Sequence, residues 1–153
     1  MKPGSILLYP ILMTLALYGL SLAVPAFEFV QLGDRKLQIW RGWEILMLGW
    51  LGLFYWQIGW LANHLYYINL VLVWKRFWRS SVILGIITVA VGLNTLFLFS
   101  QKIPYNGAGA TMQLRSLQIG FYFWIVSLSI PFLWSCWQLW TGASRSQGSS
   151  KDV

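Results

Sequence analysis

Two ionisable side chains, Glu44 and His64, border or enter long apolar runs, and each could do chemistry there. Such a group costs about 2.5–3.5 kcal/mol at the centre of a membrane on insertion scales, so its presence asks for a reason. Glu44 stands beside Trp43 at the start of a run, where a carboxylate suits the positive end of a helix; it could cap that helix, pair with Arg41, or carry a proton or ligand. His64 lies roughly twenty residues further on and is the only histidine, so this chain cannot supply the two axial imidazoles of a membrane b-type haem. Packing or hydrogen bonding is the simpler role for it. Gln57, Asn63, Asn69 and Asn94 are the other strongly polar groups in the runs. Gln57 and His64, seven apart, share one face of a helix, and with Asn63 and Asn94 they could line a small polar pocket. Hydrogen bonds between helices, worth about 0.6–2 kcal/mol each, account for the same residues. Cys136 is the only cysteine, which excludes a CxxC redox pair and an internal disulfide. No phosphate-binding loop and no Ser-His-acid set is present. The inventory argues against an enzyme, and no metal or cofactor is expected.

The elements that must position these groups follow from composition. Of 153 residues, 58% are hydrophobic and 10% are charged, against roughly 45–50% and 25% in soluble domains. So few charges cannot cover a water-facing surface, and the apolar runs are each long enough to cross a hydrocarbon core about 30 Å thick. A soluble enzyme, a disordered chain and a disulfide-stapled secreted module are excluded. The net charge of +7 sits in short segments between runs, where it reads as topology signal and contact with anionic headgroups, not as a nucleic-acid groove.

Four spans are expected, at about 6–24, 43–74, 81–100 and 119–140, as one membrane domain over 1–140 with a disordered tail at 141–153. The first run exceeds the 7–15 residues or so of a signal-peptide core, which favours a retained helix. The second would be about 45 Å long as one straight helix, so a kink is expected at Ala62-Asn63-His64. Lys75, Arg76 and Arg79, set among aromatics, form a headgroup anchor. Small residues mark the faces on which spans pack: Ser81, Gly85, Thr88, Gly92 and Thr95 in the third, Gly120, Ser127, Pro131 and Ser135 in the fourth, Gly19 and Ala23 in the first. The loops Phe27 to Trp43 and Gln101 to Gln118 carry turn signals, Gly33-Asp34 and Asn106-Gly107, between short alternating stretches. They are expected to pair into a small β-rich extracytoplasmic cap, with Arg35, Lys36, Arg41 and Glu44 as contacts at its base. The fold class is thus an all-α membrane protein, four transmembrane helices in an antiparallel bundle under that cap.

Gly42-Trp43-Glu44 running into Leu48-Gly49-Trp50-Leu51-Gly52, then Gln57 with Trp60-Leu61-Ala62-Asn63, then Gly120-Phe121-Tyr122-Phe123-Trp124 with Ser127, resemble a group of uncharacterised small bacterial membrane proteins. The likeness covers about residues 25 to 130. It implies a bacterial four-span protein, cyanobacterial in its narrower reading, and brings no activity with it. That group often has proline where His64 stands, which implies a kink there and weakens the case for His64 as essential. It also tends to carry acids near Asn106 to Gly109, where this chain has none.

Two functions are expected from these features. The first is a non-enzymatic accessory or scaffold protein of the plasma membrane, its partner another membrane protein or a second copy. The alternative is a small-molecule binder or transporter with a pocket between spans two and three at Gln57, Asn63, His64 and Asn94. Lysine and arginine divide six to five between the two faces, so orientation rests on the compact Lys75, Arg76, Arg79 cluster, which places both termini in the cytoplasm.

Overall fold

Pro25 lacks the N–H that would continue a helix, and it pushes the residue before it toward extended backbone. Helix α1 (Ser5–Ala23) accordingly gives way to strand β1 (Pro25–Leu32). The structure is a computed structural model and describes residues 5–33, 35–104 and 110–148. Asp34, residues 106–109, and the Lys2 and Lys151 charges counted for orientation lie outside the described residues. Gly33, at φ +119°, turns the chain toward β2 (Leu37–Arg41). The chain continues through α2 (Gly42–Leu48), two 3-10 helices (Gly49–Tyr55 and Ile58–Leu61), α3 (Ala62–Trp74), α4 (Trp78–Leu93) with a 3-10 extension (Asn94–Phe99), β3 (Ile103–Pro104), β4 (Thr111–Leu117) and α5 (Ile119–Gly148).

The strands form one antiparallel sheet in the order β2-β1-β4-β3. Phe29 lies opposite Gln38 on one side and Leu114 on the other. Alternation sends Phe27 and Phe29 of β1 and Met112 and Leu114 of β4 to one face, where they join Leu98 and Phe121 in a buried cluster. A second cluster, Tyr18, Ala62, Tyr66 and Leu128, sits between helices α1, α3 and α5.

The all-α bundle of four spans is therefore not the architecture. Among the described residues there are five helices and a four-stranded antiparallel sheet, and two helical stretches, Trp78–Phe99 and Ile119–Gly142, are long and apolar enough to cross a membrane. The loops that were to make a small cap do pair, β1 with β4, but the sheet they build supplies one of the two cores.

The largest departure is the expected span 43–74. It is broken from Gly49 to Leu61, and Ala62-Asn63-His64, the expected kink, form the first turn of α3. The break has a packing cause. Trp60 folds back over Gly49, so close that a Cβ there would lie 2.6 Å from the indole, and its Nε1 donates to the Leu46 carbonyl at 2.8 Å. That indole satisfies a carbonyl left free where α2 ends. Helix α5, in turn, runs on to Gly148, so residues 141–148 of the expected tail are helical; residues 149–153 lie outside the described residues.

Helix α5 packs on α1 and on α4, and α3 packs on α4. Ser81, Gly85, Thr88, Gly92 and Thr95 are buried, as are Gly120, Ser127, Pro131 and Ser135 on α5. Gly19 and Ala23 are exposed instead, and α1 buries Pro10, Thr14, Tyr18 and Ser21. One contact repairs a defect. Pro131 cannot donate to the Ser127 carbonyl one turn back, and Thr14 Oγ1 crosses from α1 to donate to it at 2.6 Å while Tyr66 donates its hydroxyl to Thr14 at 3.1 Å.

Candidate ligand cavity

The inner face of the sheet and the helix ends do not close on each other. Between them lies a cavity of about 660 Å³, within the roughly 300–1,000 Å³ typical of small-molecule sites. Its walls are mainly apolar and aromatic, with Phe29, Trp40, Ile45, Met112, Phe121 and Trp124 among them, and among the described residues no charged side chain lines it.

Gln57 is brought to this cavity by the turn that ends the first 3-10 helix. Trp56 takes a left-handed conformation (φ 61°, ψ 20°), its N–H reaches the Leu53 carbonyl at 3.2 Å, and the Gln57 N–H reaches the Gly52 carbonyl at 3.0 Å. Glycine usually occupies such a position; a bulky residue there carries strain of about 1–2 kcal/mol. Gln57 is 6% exposed and donates through Nε2 to Oε1 of Gln101. Its own Oε1 is buried without a hydrogen-bond partner, a state that costs about 1–3 kcal/mol.

Asn63 also lines the cavity, but its amide is committed. Oδ1 accepts from the Tyr18 hydroxyl and from Trp124 Nε1, both at 2.9 Å, and Nδ2 donates to the Trp60 carbonyl at 2.9 Å. One side chain thus ties α1, α3, α5 and the second 3-10 helix together. His64 is exposed and packs its ring 4.5 Å from that of Trp60, away from the cavity. Asn94 accepts the Ile58 N–H on Oδ1 at 2.9 Å and holds the end of α4 to the 3-10 helix. Of the four residues expected to form a pocket, Gln57 and Asn63 line the cavity; its other walls come from the sheet, the end of α1, α2, the 3-10 segments and the start of α5.

The outer residues do not form one group. Glu44 Oε2 accepts the backbone N–H of Arg41 at 2.6 Å and so caps α2. Arg35 and Lys36 precede β2 at its other end, roughly 16 Å away at 3.3 Å per residue. Lys75, Arg76 and Arg79 are all exposed at the α3–α4 turn, where Arg76 adopts φ 62°. Glu28 was not among the expected site residues; its carboxylate meets Arg115 at 3.5 Å and accepts from Ser116 Oγ at 3.3 Å and Gln118 Nε2 at 3.1 Å, bracing the junction of sheet and α5. Nor were Gln101 and the aromatic walls; the Phe27-x-Phe29 alternation was the available signal. Among the described residues no cluster of three or more His, Cys, Asp or Glu could hold a metal ion.

No family model, curated protein or solved structure matches this chain.

Proposed function

We propose that the protein is an integral membrane protein without catalytic machinery that holds a small, largely apolar molecule in the cavity beneath its sheet. The cavity carries this reading: a void of about 660 Å³ walled by aromatics, with one polar acceptor unmet, is space that packing alone would have filled. Its membrane setting is supported by the two long apolar helices, of which 28% and 33% are buried, whereas the core helix of a soluble protein is mostly buried. Ile83, Ile86 and Ile87 on α4 and Leu133 on α5 are exposed, as lipid-facing residues would be. The basic α3–α4 turn lies at the end of the helices remote from the sheet, which supports a cytoplasmic headgroup contact there, a plasma-membrane location with both termini cytoplasmic, and the sheet on the outer side.

Native mass spectrometry of detergent-purified protein tests the cavity. We expect one apolar adduct per chain, retained more weakly in Ile45→Trp, which narrows the void, with circular dichroism unchanged. A bare chain in every detergent would overturn the reading, and so would a monodisperse protein that needs no detergent.

The outer face of the sheet favours a second reading. Leu37 and Ile39 are 52% and 59% exposed there, on the edge strand β2. An accessory role, with a membrane-protein partner or a second copy covering that face, predicts a stoichiometric companion in mild-detergent extracts; a clean monomer in several detergents counts against it.

A further inference from the structure

We infer that the occupant of the cavity is a neutral, chain-like amphipath whose hydroxyl donates to Oε1 of Gln57. The inference rests on the cavity being a binding site and adds the chemistry of what it takes. Gln57 lines the cavity, its Nε2 is engaged by Gln101, and its Oε1 is buried with no partner. Asn69 Nδ2 and Trp134 Nε1 are also buried and unpartnered, but neither residue lines the cavity.

An orphaned carbonyl oxygen is met by a donor. An ether or quinone oxygen offers none. An ammonium group would donate, but among the described residues no carboxylate lines the cavity to balance its charge, and an unpaired buried cation is strongly disfavoured. A neutral donor remains, and on a chain-like amphipath a hydroxyl supplies it. Leu48, Leu51, Phe54 and Tyr55 both line the cavity and are exposed, so the mouth has a largely apolar rim open to molecules dissolved in the bilayer. The aromatic walls then suit a hydrocarbon tail. A free long-chain alcohol and a glycerolipid with one free hydroxyl present this same chemistry.

The test is a competition on the full chain in detergent, read by native mass spectrometry, with hexadecanol, hexadecyl methyl ether and dioleoylglycerol as probes. We expect a hydroxyl-bearing probe to be retained about three- to tenfold over the ether, the net worth of one hydrogen bond. Retention of hexadecanol over dioleoylglycerol assigns the site to free alcohols, and the reverse order to glycerolipids; either supports the proposal. Gln57→Leu should erase the preference over the ether while still retaining probes, and Gln101→Leu, which leaves Oε1 in place, should keep it. Equal retention of ether and alcohols by the unaltered chain overturns the hydroxyl while leaving the cavity reading standing. That comparison needs no variant to fold. Retention of none of the probes, with no endogenous adduct, overturns the cavity reading itself.

Discussion

Thr14 is a single hydroxyl on which three helices depend. It donates to the carbonyl that Pro131 leaves free and accepts from Tyr66. Replacing it with valine keeps its shape and orphans both groups, so Thr14→Val should lower unfolding free energy by about 1–3 kcal/mol. Pro131→Ala restores an N–H for the Ser127 carbonyl. In that background Thr14→Val should be milder by about 1 kcal/mol, a coupling that a double-mutant cycle in mixed detergent reads directly; purely additive effects would break the link between proline and threonine. Asn63 makes a parallel case. Asn63→Leu leaves the Tyr18 hydroxyl and Trp124 Nε1 without their acceptor, and should cost about 2–4 kcal/mol in the same assay.

At the scale of elements, two helical glycines should respond in opposite directions. A Cβ on Gly85 would lie 2.3 Å from that of Phe132, whereas one on Gly19 would meet nothing within 4 Å. Gly85→Ala should force α4 and α5 apart at about 1–3 kcal/mol, and Gly19→Ala should stabilise α1 by about 0.5–1 kcal/mol; thermal melts in detergent check both. This pair also marks the limit of what spacing reveals. The Ser81 to Thr95 stripe was legible as a contact face because five small residues share it, but two small residues in α1 do not say which face they lie on, and Tyr18 and Thr14 took that role. Pro25, Gly33 and the alternation of Phe27 and Phe29 made the strands readable. The break at Gly49 to Leu61 was hidden, because apolar composition looks the same whether residues meet lipid or protein and because the left-handed turn falls on Trp56, not on a glycine. The cavity was legible only through Gln57 and Asn63; its other walls are brought together by pairing between distant strands and by the fold-back of the broken segment 49–61.

For the whole molecule, polarity is the testable property. The sheet with its Glu28 and Arg115 pair stands at one end of the helices and Lys75, Arg76 and Arg79 at the other. With the basic turn cytoplasmic, alkaline phosphatase fused after Val153 should be inactive and a fluorescent protein there bright. Changing the three cations to glutamate should invert that pattern or cut insertion, since short-loop cations set orientation. The sheet holds one more consequence. Phe27 pairs with Leu117 and Leu32 with Thr111, so β1 leaves the ribosome long before its central partner exists. At about 5–20 residues per second, the β1–β2 hairpin waits on the order of ten seconds for β4, and a two-stranded hairpin alone is marginally stable. Synthesis therefore imposes a schedule: helices α1, α3 and α4 are laid down around an unfinished sheet, and the start of α5 closes it. Nascent chains arrested before Thr111 should yield to protease between Phe27 and Trp40, and the released full-length chain should resist.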